Sequence, residues 1–311
     1  MALLEHKKVK ILRRVYLDRW ELVFLLPTIV LLFLFSYLPI YGILISFQDY
    51  RIGNAILTFD GTTKWVGLDH FKNFILSPFF IRVFGNTVRL SLKGLAYGFW
   101  VPIVFAILLN EVTHSLYKRL TQTFVYLPYF ISVVVVVAML MSMTSQYGAI
   151  NRVMEVFGQR PVNMMNETRY FDTLYIVSNI WQSFGYSSII YIAAIASINP
   201  TLYEAATVDG ANRFHKIVHI TLPSILPTIM ILLILSVGGI LAANTEKILL
   251  MYNVTTYDVA DVIGTYVYRV GLINARYSYS ASIGFFANVI NFGLVFGANM
   301  LSRKITNYSL W

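Results

Sequence analysis

Long apolar runs alternate with short polar stretches along this chain. Six of the runs, near residues 23–47, 84–109, 121–145, 172–197, 223–243 and 281–302, are long enough to cross about 30 Å of hydrocarbon as helices rising about 1.5 Å per residue. The second run is the least regular, because Arg89 and Lys93 fall inside it. Their long stems can carry the charges to an interface or a protein cavity, which keeps the helix expectation intact. The pattern predicts an all-α integral membrane protein with six transmembrane helices over 23–302, a basic segment at 1–22 and a short tail at 303–311.

The polar stretch between the fourth and fifth runs, 198–223, has a pattern of its own. Asn199 or Thr201 can cap a helix start, Pro200 suits its first turn, and Thr201-x-x-Glu204 matches a capping box. Gly210 can take the left-handed conformation that ends a helix, so two short helices are expected to meet there at an angle. In this knuckle Ala205 and Ala206 leave a low-profile face for another backbone, while Glu204 and Asp209 supply charge for basic groups of a partner. On local physics alone, an ordinary amphipathic loop between membrane helices fits the same residues.

Composition strengthens the membrane reading. Of 311 residues 57% are hydrophobic and 13% charged, with a mean hydropathy of +0.65, far too apolar for an ordinary soluble domain. Basic residues then sort the loops into two sides. Lys7, Lys8, Lys10, Arg13, Arg14 and Arg19 in the leader, Lys118 with Arg119, Arg213 with Lys216, and Arg303 with Lys304 all fall on one side. The opposite side carries basic residues too, among them Arg51, Arg152, Lys247 and Arg276, but spread over longer loops. The positive-inside rule therefore puts both termini in the cytoplasm, a parity that an even number of crossings satisfies. Beside a membrane helix, the polybasic leader points to anionic lipid rather than to nucleic acid. The first run is about twice as long as a signal-peptide core and has no convincing cleavage site, so it is expected to stay as a membrane helix.

Catalytic chemistry finds no foothold. The sequence has no Gly-x-x-x-x-Gly-Lys-Ser/Thr phosphate loop, no His-Glu-x-x-His and no Gly-x-Ser-x-Gly elbow. The chain is therefore expected not to be an enzyme, and not to split ATP by itself. Without cysteine it can form neither disulfides nor thiolate metal sites. His215 and His219 stand four apart on one helix face, a spacing a metal could use, but no third ligand accompanies them.

The spacing Glu204-Ala205-Ala206, three residues, Gly210, nine residues, Ile220-x-Leu222-Pro223 resembles the cytoplasmic loop of the membrane subunits of bacterial ABC importers. Further matches are YLPIYGILISFQDY from Tyr37 to Tyr50, WVGLDHFKNF from Trp65 to Phe74, Asn86-Thr87, Leu109-Asn110-Glu111 and the closing Ser302-Arg303-Lys304. Together they extend the resemblance over nearly the whole chain, to the maltose-type carbohydrate-uptake permeases and their complex-polysaccharide branch. The resemblance implies a division of labour in the bacterial cell membrane. A second permease subunit would complete a heterodimer around the path, and an extracellular solute-binding protein would deliver an oligosaccharide. ATPase subunits, which bind the ATP and Mg that this chain does not, would grip the loop through Glu204, Ala205, Ala206, Asp209, Gly210, Ile220, Leu222 and Pro223.

Sugars are held by hydrogen-bonding side chains and by flat rings against their apolar faces. On the fourth run Asn179, Gln182, Ser183 and Tyr186 have the i, i+3, i+4, i+7 spacing of one helix face. The resemblance implies that this face lines the sugar path together with Ser236 on the next run. Gln182 and Ser183 depart from the maltose-type pattern, which has an apolar residue and a glycine at those positions. The same polar residues could instead hydrogen-bond between packed helices. Arg89 and Lys93 share a face of the second run and have no deep acidic residue as an evident partner, Asp172 standing only at a span end. A charge in the membrane is functional by default. The pair is expected either to draw acidic, uronate-containing oligosaccharides toward the path or to snorkel to the outer interface. The segment from Asp258 to Leu272 has a pattern that suits an interfacial helix and a docking place for the binding protein, although Gly264 weakens such a helix by about 1 kcal/mol.

Two other classes share parts of this profile. A secondary transporter of sugars or other small solutes should show an internal repeat or buried acidic residues for ion coupling, and neither is evident. A membrane-embedded enzyme would need a convergent set of acid, base or metal ligands, which is not seen.

Overall fold

The computed structural model describes residues 19–53, 55–57, 63–306 and 308–310. The leader residues Lys7, Lys8, Lys10, Arg13 and Arg14 lie outside the described residues. In chain order the helices are α1 (Arg19–Phe47), α2 (Asp69–Ile75), α3 (Phe80–Asn110), α4 (Ser115–Tyr126), α5 (Val133–Val156), α6 (Thr168–Ala196), α7 (Pro200–Val208), α8 (Arg213–Val237), α9 (Thr245–Met251), α10 (Tyr257–Ala260), α11 (Ile263–Tyr268) and α12 (Tyr277–Thr306). No strand forms among the described residues; one antiparallel bridge joins Gln48 and Trp65. By length and composition α1, α3, α5, α8 and α12 can cross a membrane, and the pair α6 and α7, bent by 67°, makes a sixth if it counts as one span.

The first helix is apolar all round. Phe24, Ile29 and Phe35 point away from the protein, and none of its most hydropathic stretch is buried by the rest of the chain. Such a surface is stable only in hydrocarbon. Its last turns, Leu38–Phe47, pack on α12.

At the centre stands α6, with α3 packed along it. Buried Val83, Leu90 and Ile103 carry α3 through three apolar clusters in turn, around Tyr266 and Ile283, around Phe171 and Ile248, and around Tyr191 and Ile225. Where α4 crosses α6 the backbones touch: a Cβ on Gly185 would stand 2.1 Å from the carbonyl oxygen of Val125. Only glycine permits that approach.

The structure corrects three expectations. The third run, 121–145, is not one helix. Leu127–Phe130 tightens into a 3-10 turn around Pro128, and Ser132 caps a new helix by accepting from Val135 N at 3.4 Å. Proline has no N–H to continue the ladder, which accounts for the break. The fifth run begins earlier, at Arg213, and ends at Val237, before Gly238, where a Cβ would lie 2.3 Å from Val295 Cγ2 on α12. Finally, the stretch from Asp258 to Leu272 is no surface helix. It breaks at Asp261 and Val262, both wholly buried, and packs against α3 and α12. Gly264 there serves close contact, since a Cβ would meet Thr245 Oγ1 at 1.9 Å.

Candidate functional site

A cavity of about 550 Å³ opens between α3, α6 and α8. Asn179, Ser183 and Tyr186 line it from α6, Ser236 from α8, and Leu90 and Ser91 from α3. Ser183 Oγ donates to Asn179 O at 2.8 Å and Ser236 Oγ to Leu232 O at 2.7 Å, each four residues back on its own helix. Both hydroxyls therefore keep their lone pairs for a donor from the cavity, as a sugar hydroxyl would be. Tyr186 adds a flat ring, stacked on Tyr129 from the turn before α5.

Gln182 is not part of this lining. Its Nε2 donates to Ile131 O at 3.0 Å, across the break between α4 and α5, and its Oε1 accepts from Lys247 Nζ at 3.3 Å. Its position three residues after Asn179 puts it on the same helix face, but the Ile131 carbonyl takes the amide.

Arg89 and Lys93 do have an acidic partner, which corrects the expectation of none. Asp172, in the first turns of α6, accepts from Lys93 Nζ at 2.7 Å and from Arg89 Nη2 at 3.2 Å, while Arg89 also donates to Val259 O at 2.6 Å. The three side chains are partly exposed, and the two cations share one carboxylate, leaving a surplus positive charge. Neither cation lines the cavity, although their helix neighbours Leu90, Ser91 and Gly94 do. A second network follows the same logic. Buried Asp261 accepts from Arg269 Nη2 at 2.5 Å and Thr265 Oγ1 at 2.8 Å, and Arg82 Nη2 approaches it at 3.7 Å. This anchoring explains why the 258–272 stretch folds inward.

The knuckle bends at Gly210 as expected. Its second arm is the first turns of the long helix α8 rather than a short helix, and of the two candidate caps Asn199 is the one used. Asn199 Oδ1 accepts from Thr201 N at 3.1 Å, so Asn199 is the cap and Pro200 the first helical residue; Thr201 lies inside α7. Gly210 has φ +77°, and Ala211 N closes the turn on Ala206 O at 2.8 Å. Asn212 caps the next helix through His215 N at 2.9 Å. Two cross-links tie the arms together: Lys216 Nζ to Thr207 Oγ1 at 2.8 Å, and Tyr203 OH to Thr221 Oγ1 at 2.9 Å. Glu204, Ala205, Asp209, Gly210, Leu222 and Pro223 are exposed, with Ala206 and Ile220 half-buried. Exposed Val208 and Phe214 flank them. The rings of His215 and His219 stack 5.8 Å apart, each with Nδ1 already hydrogen-bonded within its own helix end.

Residues 98–307 match the binding-protein-dependent transport system inner membrane component family. The chain belongs to that family. This permease is 38% identical to Protein LplB of Bacillus subtilis (strain 168) over 94% of its length and 92% of the relative's. It is 39% identical to the polygalacturonan/rhamnogalacturonan transport system permease protein YteP of the same organism, over 96% of its length and 92% of the relative's. Among solved structures, a chain of a bacterial ABC transporter involved in the import of the acidic polysaccharide alginate is 41% identical. It superposes with a TM-score of 0.85 over 96% of the permease and 99% of that chain. A further structure holds the alginate transporter in complex with an alginate pentasaccharide-bound periplasmic protein, at 40% identity and a TM-score of 0.86.

The sequence pattern alone does not reveal two features: Tyr129, which sits in the turn Leu127–Phe130 inside an apolar run, and Lys247, which lies in a polar loop stretch between two runs. Lys247 is wholly buried. A signal for it exists, since Lys247, Ile248 and Met251 share the inward face of α9.

Proposed function

We propose that the chain is the membrane-spanning permease subunit of an ATP-driven ABC importer of oligosaccharides, acidic ones included, and that it supplies half of the translocation path. The observation that carries this reading is the cavity beside α6, where acceptor hydroxyls, an amide and a stacked aromatic ring converge in a chain of this family. The names of the polygalacturonan/rhamnogalacturonan permease and of the alginate importer support a uronate-rich substrate.

In this reading α1, α3, α4 with α5, α6, α8 and α12 make six crossings, and both termini face the cytoplasm. Asn179, Ser183, Tyr186 and Ser236 contact the sugar. The elbow between α7 and α8 is a lever that receives the ATPase through Glu204, Ala205, Ala206, Asp209, Gly210, Ile220, Leu222 and Pro223. ATP and Mg stay on that partner, a second permease closes the path, and a binding protein delivers the substrate. The cross-links between Tyr203 and Thr221 and between Lys216 and Thr207 make the elbow stiff. Closure of the ATPase dimer would therefore move α8, and Ser236 with it.

The test is uptake of galacturonate oligosaccharides by proteoliposomes that hold the assembled transporter, its ATPase and its binding protein. Asn179→Leu and Ser183→Leu should each cut ATP-dependent uptake severely while the complex still assembles. Uptake at the unmodified rate by both variants would remove the cavity from the path, and uptake without ATP would favour a secondary transporter.

A further inference from the structure

We infer that Lys247 is a carboxylate-reading group of the transmembrane path, held in place by Gln182 until an acidic sugar arrives. The inference rests on the oligosaccharide reading above and names the chemical group that the path recognises, a uronate carboxylate.

Lys247 is wholly buried on α9, between the helices α5 and α11 that pack against it. An ammonium carries three donors. Here its hydrogen bond is to the neutral Gln182 Oε1, at a distance of 3.3 Å near the outer limit for such a bond. Among the described residues the ion pairs engage Asp49, Asp172, Asp258, Asp261 and Glu167, and none includes Lys247. A buried charge without a counter-charge is costly, which makes this amine a candidate for a functional role.

Among the described residues its hydrogen-bond partner, Gln182, is a chain neighbour of the cavity lining rather than part of it. Gln182 is half-buried on α6, one residue before Ser183 and three after Asn179, both of which line the cavity. A substrate carboxylate that took the place of Gln182 Oε1 would offer a charged acceptor, about twice as strong as the amide, and would supply the missing counter-charge. Arg89 and Lys93 fit this role less well, because Asp172 already holds both. Lys247 reads the charge, and Gln182 is the positioning residue.

The experiment measures equilibrium binding of two probes to the purified, assembled transporter without its binding protein: trigalacturonate and its fully methyl-esterified form. The probes share ring faces and hydroxyls but differ in charge. Lys247→Met should weaken trigalacturonate about tenfold more than it weakens the ester, and Lys247→Arg should keep the preference. Gln182→Glu is the isosteric control for folding. It places a carboxylate beside the amine inside the protein, and should likewise erase the preference for trigalacturonate. If Lys247→Met weakens both probes alike or neither, or if Gln182→Glu leaves the preference intact, Lys247 does not read the carboxylate. An unmodified transporter that binds neither probe would instead overturn the oligosaccharide reading itself.

Discussion

The ring of Tyr129 lies flat on that of Tyr186, with centroids 3.9 Å apart and planes 5° from parallel. Both rings are nearly half exposed, and Tyr186 lines the cavity. The stack fixes a platform at the mouth of the break between α4 and α5, worth about 0.5–1.5 kcal/mol beyond the area it buries. Tyr186→Ala should lower oligosaccharide uptake about tenfold, whereas Tyr186→Phe, which keeps the ring, should stay within about twofold. Uptake rates in proteoliposomes check this. An equal loss with phenylalanine would assign the work to the hydroxyl rather than to the ring face.

Glycines on neighbouring helices should respond in opposite ways. A Cβ at Gly185 would overlap the Val125 carbonyl, whereas nothing lies within 4 Å of one at Gly94. Gly185→Ala must push α4 off α6 and should cost about 1–3 kcal/mol. Gly94→Ala removes a flexible residue from a helix interior and should be neutral or stabilising by about 0.5–1 kcal/mol. Thermal unfolding of the detergent-solubilised transporter compares them; equal melting temperatures would contradict the α4–α6 contact.

Much of this arrangement was legible because it is local. Asn199, Pro200 and Gly210 specify the elbow within a dozen residues, and the helix period alone brings Asn179, Ser183 and Tyr186 to one face. Contacts between distant segments left no such trace. Asp172 lies 83 residues from Arg89 in sequence, so the pairing of a span end with mid-helix cations cannot be read from periodicity. Gln182 has the correct period and still leaves the lining, because Ile131 lies where a proline turn bends the chain. The stretch from Asp258 to Leu272 looks amphipathic because its polar side is built around buried Asp261, which meets half-buried Arg82 and Arg269 rather than water.

Removing the shared, half-buried carboxylate should be harmful. Asp172→Asn leaves Arg89 and Lys93 with like charges and no counter-ion, and Arg89 Nε is already buried without a partner. The expected loss is about 1–3 kcal/mol of stability, read as a lower melting temperature. Adding Lys93→Met to Asp172→Asn should restore part of it, and failure of the double variant to recover would show that the ion pair is not what Asp172 provides.

The elbow should tolerate insertion but not transmission variants. Gly210 needs φ +77°, which valine adopts only with strain, and Glu204 is exposed with its charge free for a basic partner. Gly210→Val and Glu204→Lys should each abolish transport-coupled ATP hydrolysis while the permease still reaches the membrane. Membrane fractionation together with ATPase assays separates the two effects. Normal stimulated hydrolysis in both would exclude the lever role.

Burial pushes the Lys247 amine down from its ordinary value near 10.5 to about 8. The folded amine is therefore charged below pH 8 and loses its charge as the pH rises through that value. The helices packed around it bring little that competes: Val133–Thr144 of α5 has no charged residue, α11 contributes Tyr266 and Tyr268, α6 brings Tyr175 nearby, and Glu246 on its own helix is exposed. Trigalacturonate stays fully ionised in this range, so its affinity for the purified transporter should be level up to about pH 7 and fall about tenfold by pH 9. Lys247→Arg, charged throughout, should flatten that decline. Stability should move the other way. Between pH 8 and 10.5 the unfolded chain still holds the proton that the folded chain has released, so the melting temperature should gain a contribution as the pH rises through this window. Lys247→Met should lack that gain. A decline in affinity that persists unchanged in Lys247→Arg would assign the titration to another group.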